Sequence, residues 1–148
     1  MFYFPPTIIL RHRRENLKKC SLSGLETRED MRFYTYPKDS LPDVAGYVLL
    51  TMDAPVLTPA DAGRGLLLID GTWRYAAQMR RVVPEGIIER SLPSQYRTAY
   101  PRRQEDCPDP EKGLASIEAL YVAYHILGRS TEGLLDCYFW KNGFLAQM

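Results

Sequence analysis

The sequence has few side chains that bind metal ions or form disulfides. Its 148 residues include three cysteines, Cys20, Cys107 and Cys137, and two histidines. The cysteines lie far apart and form no C-x-x-C pair, which argues against both a disulfide framework and a structural zinc site. We therefore expect no bound metal and a reducing, cytoplasmic environment.

Long hydrophobic runs and a strong net charge are also missing. No stretch approaches the roughly 18 apolar residues of a membrane-spanning helix, and the first residues lack the basic start of a signal peptide. The net charge is +1, so no global field draws the protein to nucleic acid and any RNA binding requires a local basic patch. The composition, 45% hydrophobic and 25% charged, is that of a globular domain.

Short apolar runs alternate with segments of helical character along the chain. Strands are predicted at residues 7–10, 32–36, 47–51, 66–69 and 87–89. Helices are predicted at residues 25–31, 58–61, 73–81, 116–128 and 130–138, with Thr58 and Ser116 as N-caps. This alternation predicts an α/β domain with a mainly parallel sheet and flanking helices.

The run from Leu66 to Ile69 ends abruptly at Asp70, Gly71, Thr72 and Trp73. An uninterrupted aliphatic run is typical of a strand buried on both faces of a parallel sheet. Ligands bind at the carboxyl ends of such strands, which makes Asp70 and Trp73 candidates for chemistry. The same pattern also occurs where a strand simply joins a capped helix, so this segment alone leaves both interpretations open.

Two basic segments are candidates for RNA binding. The first follows the first predicted strand, and the second lies in a long, proline-containing loop that also carries tyrosines. Cationic side chains track phosphates and aromatic rings stack on bases in single-stranded RNA recognition, although charge runs are more often solvated surfaces. The candidate residues are Arg11, Arg13, Arg14, Lys18, Lys19, Arg97, Arg102 and Arg103.

Several short motifs together resemble a known superfamily. Residues 70–73 are similar to the D-x-[ST]-W signature shared by DTW-domain proteins and the small-subunit ribosomal RNA aminocarboxypropyltransferases. Further similarities follow the order and spacing of the ribosomal RNA branch, at residues 18–21, 57–61, 92–93, 99–101, 116–120 and 139–145. The resemblance therefore covers nearly the whole chain and is greatest to that branch.

The resemblance implies a SPOUT-like α/β fold with a C-terminal trefoil knot, in one domain spanning residues 1–148. Residues 1–60 would form an N-terminal lobe and residues 61–148 a knotted, cofactor-binding lobe of a monomer. Such an enzyme transfers the 3-amino-3-carboxypropyl group of S-adenosylmethionine to a uridine or pseudouridine base of small-subunit ribosomal RNA. The alternatives are a DTW-type transferase acting on transfer RNA and a non-catalytic, RNA-binding ribosome assembly factor.

By the same resemblance, Asp70 lies near the reacting end of the cofactor and either accepts or steers a proton. Trp73 would pack on the methylene chain that is transferred, and backbone groups near Ser21 would hold the methionine carboxylate. The residues expected to bind S-adenosylmethionine are Ser21, Leu49, Leu50, Ile69, Trp73, Leu92, Pro93 and Ser116. The sequence departs from the ribosomal RNA branch around Tyr100 and in an acidic insertion at residues 104–112.

Overall fold

Five parallel strands form a single sheet in the order β2-β1-β4-β3-β5. The computed structural model describes residues 4–14, 22, 24–71, 73–96, 114–138 and 141–146. The strands are β1 (Thr7–His12), β2 (Met31–Tyr36), β3 (Tyr47–Leu50), β4 (Gly65–Asp70) and β5 (Ile88–Arg90). The predicted α/β class and the mainly parallel sheet are confirmed.

Three α-helices flank the sheet within the described ranges: α1 (Trp73–Arg80), α2 (Ser116–Ile126) and α3 (Lys141–Leu145). The predicted turn of helix after Thr58 is a 3-10 helix, Pro59–Asp61. The Thr58 hydroxyl accepts a hydrogen bond from the Ala60 amide, and the Asp61 carboxylate accepts one from the Thr58 amide. No helix in the described segments is long and apolar enough to cross a membrane.

Two predicted helices, at residues 25–31 and 130–138, are wrong. Both segments form successive turns, with backbone bonds such as that from the Arg28 amide to the Leu25 carbonyl at 3.1 Å. The two segments contact each other, because Arg28 Nη1 donates to the Glu132 carbonyl at 3.0 Å. They also approach each other closely at Gly24, where an added Cβ atom would lie only 2.8 Å from the Cys137 sulfur. Tertiary contacts between these segments thus replace the local helical preference.

β4 lies between β1 and β3 and separates two apolar clusters. Leu66 and Leu68 pack on the side of α2, whereas Leu67 packs on the opposite side. Successive side chains of a strand point to opposite faces, so both faces of β4 are buried, as the unbroken aliphatic run predicted. The sheet also joins the two predicted lobes, since β4 belongs to residues 61–148 and its neighbours to residues 1–60.

Candidate functional site

Asp70 is the last residue of β4, at the carboxyl edge of the sheet. Its partner across the sheet in β1 is Arg11. The Asp70 side chain shares the face of Leu66 and Leu68, which is the side of α2, and the residue is only 4% exposed. A carboxylate buried at this edge must be held by hydrogen bonds or by an opposite charge.

Both oxygens of the Asp70 carboxylate are held by other side chains. The Ser116 hydroxyl donates to Oδ1 at 2.8 Å, and Arg11 Nε donates to Oδ2 at 3.4 Å. The structure therefore brings together Asp70 and Ser116, two of the predicted site residues. Ser116 is the first residue of α2 rather than its N-cap, which is Ala115, so the predicted capping role of Ser116 is wrong.

Arg11, predicted to bind RNA with the basic residues that follow it, is buried within β1. Its guanidinium carbon lies 4.6 Å from the centre of the Phe33 ring, and Nη1 lies 3.9 Å from a Glu26 carboxylate oxygen. Within the described part of the chain Nη2 is buried without a hydrogen-bond partner. Arg11 thus belongs to the Asp70 site, a role missed by the sequence analysis.

The other basic residues of the prediction divide into two groups. Arg13 and Arg14 follow β1 directly and are exposed. Lys18, Lys19, Arg97, Arg102 and Arg103 lie outside the described residues, as does Ser21.

The predicted apolar residues of the site lie at the same edge but on both faces of the sheet. Leu50 and Leu92 are half-buried and pack on the α2 side, the side of the Asp70 carboxylate. Leu49 and Ile69 pack on the opposite side. Pro93 is half-buried next to Leu92.

Trp73 is the first residue of α1, so its backbone follows the carboxyl end of β4.

Glu118 and Tyr138 fix the start of α2, which carries Ser116. Glu118 is fully buried, and its carboxylate accepts hydrogen bonds from the Ala115 amide at 2.8 Å and the Tyr138 hydroxyl at 3.0 Å. The sequence placed Glu118 in the first helical turn, where a carboxylate is favourable. Its burial and its bond to Tyr138 depend on a contact that no local pattern indicates.

A second polar network lies at the opposite, amino edge of the sheet. The Tyr124 hydroxyl bonds to Thr7 at 2.7 Å and donates to Asp30 at 3.2 Å, and Arg28 binds Asp30 through two 2.9 Å bonds. Burial raises the pKa of Tyr124 to about 12. Arg129 lies over the Phe4 ring, 3.9 Å from its centre. Thr7, Tyr124, Asp30 and Arg28 bond to one another and stabilise the fold at a distance from Asp70.

An open groove of about 820 Å³ runs along the α2 side from this amino edge. Phe33 and Glu26, which both contact Arg11, form part of its wall. The groove thus borders two residues that contact Arg11, but neither Arg11 nor Asp70 is among the described residues that line it. Among the described residues no cluster of three or more His, Cys, Asp and Glu side chains could hold a metal ion.

The SAM-dependent rRNA:acp-transferase Tsr3 from Vulcanisaeta distributa has a similar structure, with a TM-score of 0.73. This chain shares the fold of Tsr3. The two sequences are 26% identical, and the similarity covers 97% of this chain and 78% of the Tsr3 chain. No protein-family model matches the sequence, and no curated protein matches it significantly.

Proposed function

We propose that the protein transfers the 3-amino-3-carboxypropyl group of S-adenosylmethionine to a uridine or pseudouridine base of small-subunit ribosomal RNA. The observation that carries the proposal is the similarity to the rRNA:acp-transferase Tsr3 at 26% identity over 97% of this chain. The position of Asp70 supports it, because ligands bind at the carboxyl ends of parallel strands. The protein is then an enzyme with S-adenosylmethionine as its cosubstrate and RNA as its partner.

The side chains around Asp70 fit a ligand that combines a positive sulfur with apolar carbon chains. Asp70 supplies a fixed negative charge, and Leu50 and Leu92 supply apolar surface on the same side of the sheet. The Arg11 guanidinium pairs with the Asp70 carboxylate, and this ion pair stabilises the carboxylate charge in its buried position. The proposed binding residues are Ser21, Leu49, Leu50, Ile69, Trp73, Leu92, Pro93 and Ser116.

When bound, S-adenosylmethionine supplies a sulfonium sulfur that activates each of its three attached carbons. A base nitrogen attacks the first carbon of the aminocarboxypropyl group, so a C–N bond forms as a C–S bond breaks. The electron pair of the broken bond goes to sulfur, and the base nitrogen loses its proton to water. The protein has to aim the correct carbon, and we propose that Trp73 performs this positioning.

We assign Asp70 an orienting role in this reaction. Its two oxygens are fixed by Ser116 and Arg11, which locks the position of the carboxylate before the ligands bind. A locked negative charge attracts the sulfonium as it binds, and it can accept a hydrogen bond from the base so that the base nitrogen faces the attacked carbon. The proton-accepting role is the alternative for Asp70.

The finer fold assignment belongs to the same proposal. We propose a SPOUT-like domain over residues 1–148 whose C-terminal part forms a trefoil knot, with a cofactor-binding half at residues 61–148. The all-parallel sheet and the order in which β4 inserts between β1 and β3 support this assignment. A cytoplasmic location follows from the proposed ribosomal substrate.

The test uses S-adenosylmethionine labelled either in its carboxyl carbon or in its methyl group. The protein is incubated with each form and with purified small-subunit ribosomal RNA or transfer RNA, and label in the RNA is counted. We expect carboxyl label in ribosomal RNA and no methyl label. Methyl label alone, or no label despite bound S-adenosylmethionine, would overturn the proposal, and carboxyl label confined to transfer RNA would establish the DTW-type activity instead.

A further inference from the structure

Three aromatic rings meet at the carboxyl edge of the sheet, on the side of α1. The His12 ring stacks on Tyr75 with centres 3.9 Å apart and planes 12° apart. The Tyr36 ring lies 5.6 Å from His12 at an angle of 33°. His12 is buried, whereas Tyr36 and Tyr75 are each partly exposed. We call these three residues the ring cluster; its solvent-accessible part consists mainly of tyrosine.

The backbone positions the ring cluster beside Asp70. His12 and Tyr36 are paired residues at the ends of β1 and β2, and Tyr75 lies in the first turn of α1. Gly71, the residue after Asp70, lies against His12, because a Cβ atom added at Gly71 would be 3.3 Å from His12 Cβ. The ring cluster and the Asp70 carboxylate therefore occupy neighbouring positions along one edge, on opposite faces of the sheet.

Two exposed arginines are anchored to the ring cluster through their backbones. The Arg13 amide donates to the Tyr36 carbonyl at 2.9 Å, and the Arg14 amide donates to His12 Nδ1 at 3.1 Å. No carboxylate in the described ranges lies within ion-pair distance of either guanidinium. Burial, followed by the charges of Arg13 and Arg14, lowers the pKa of His12, so at neutral pH it contributes a neutral ring.

We propose that the ring cluster and the Arg13–Arg14 pair form a binding surface for single-stranded RNA, which holds a nucleotide next to the modified base. Exposed tyrosine rings stack on unpaired bases, and guanidinium groups beside them bind the phosphates on either side. A base-paired helix offers phosphates but no free base face to the tyrosine rings, since its bases are already stacked on one another. The inference rests on the proposed function and specifies how the RNA substrate is held.

The ring contribution is tested with a fluorescein-labelled single-stranded oligouridylate, whose binding is followed by fluorescence anisotropy. The paired substitution Tyr36→Ala with Tyr75→Ala removes both accessible rings, and we expect Kd to rise about tenfold or more. The pair Tyr36→Phe with Tyr75→Phe keeps the rings, and we expect its Kd to match that of the unchanged protein. Thermal melting of each variant shows whether the fold is retained.

The charge contribution is tested by the salt dependence of the same binding. Replacing Arg13 and Arg14 by Gln removes two phosphate contacts, so the slope of log K against log salt should fall by about 1.4. The matched control replaces Arg32 and Arg81, two exposed arginines away from the ring cluster, by Gln. The control has the same net charge, and we expect its slope to stay at the wild-type value.

Two results would overturn the inference. In the first, the Ala pair and the Phe pair bind oligouridylate equally well; in the second, the Arg13–Arg14 variant and its control have the same salt slope. Failure of the proposed function has a different signature, which is absence of carboxyl label in RNA from the unchanged protein. If transfer occurs while the ring variants keep the wild-type KM for RNA, the activity stands and the ring cluster is excluded from RNA binding.

Discussion

The Ser116 hydroxyl donates a 2.8 Å hydrogen bond to Oδ1 of Asp70. This bond joins the first residue of α2 to the last residue of β4, so it fixes the distance between a helix start and a strand end. Serine at a helix start ordinarily caps its own helix. Here its hydroxyl orients the carboxylate of the proposed site instead, and Glu118 takes over the bond to the backbone at the helix start.

Loss of this hydroxyl should slow catalysis as well as lower stability. Ser116→Ala removes a hydrogen bond to a charged group, which contributes about 1.5 kcal/mol, so we expect transfer of the aminocarboxypropyl group to slow about tenfold. Ser116→Thr keeps a hydroxyl and serves as the matched control. Equal rates for the Ala variant and the unchanged protein would exclude Ser116 from positioning Asp70.

The buried pair of Asp70 and Arg11 should show strong coupling in stability. Asp70→Ala leaves the Arg11 guanidinium buried without its carboxylate, and such a loss costs about 3–5 kcal/mol. The double variant Arg11→Met with Asp70→Leu removes both charges, and we expect it to be more stable than Asp70→Ala. Urea unfolding of Arg11→Met, Asp70→Leu and the double variant measures the coupling, and additive costs would contradict the pairing.

Tyr138 should stabilise the start of α2 from a distance in sequence. Tyr138→Phe leaves the fully buried Glu118 carboxylate with one donor fewer, which should cost about 1–3 kcal/mol of unfolding free energy. Since α2 carries Ser116, the affinity for S-adenosylmethionine should fall as well. Tyr121→Phe, whose ring packs edge-on against Phe144, is the control and should change neither quantity.

Trp73 is predicted to bind the cosubstrate. In the proposed site the Trp73 ring packs on the transferred chain and attracts the positive sulfur, so we expect Trp73→Ala to lower S-adenosylmethionine affinity about tenfold. Isothermal titration calorimetry measures the change, and Trp73→Phe should retain part of the affinity. An unchanged Kd in the Ala variant would remove Trp73 from the proposed pocket.

His12 should make the stability of the protein sensitive to pH on the acid side. Its pKa is lowered in the folded state, so the unfolded chain binds the proton more readily. The folded state therefore loses stability as the pH falls below the ordinary histidine pKa of about 6.5 and on towards the folded pKa. His12→Phe keeps a ring on Tyr75 without titrating. Urea unfolding should show a smaller loss for this variant between about pH 6.5 and pH 5, and parallel curves would contradict the prediction.

Local pattern and burial agree in the elements that were predicted correctly. The aliphatic run before Asp70 predicted β4 correctly, because a strand covered on both faces needs apolar residues at every position. The helix after it was also predicted correctly, with good helix formers and no Gly or Pro through Arg80. The helices predicted at residues 25–31 and 130–138 failed, because these segments bind each other through Arg28 and Glu132.

The sequence by itself determined the α/β class, the strand that ends at Asp70 and the short helix after Thr58, since each depends on residues close together along the chain. Only the tertiary structure decided the partners of Asp70. Arg11 and Ser116 lie 59 and 46 residues from it, and they meet it because β4 inserts beside β1 and α2 packs over that face. Because β4 lies beside β1, Arg11 is a buried partner of Asp70 and not part of an exposed basic patch. The sequence could not show this, since a side chain at a sheet edge is exposed or buried according to what packs over it.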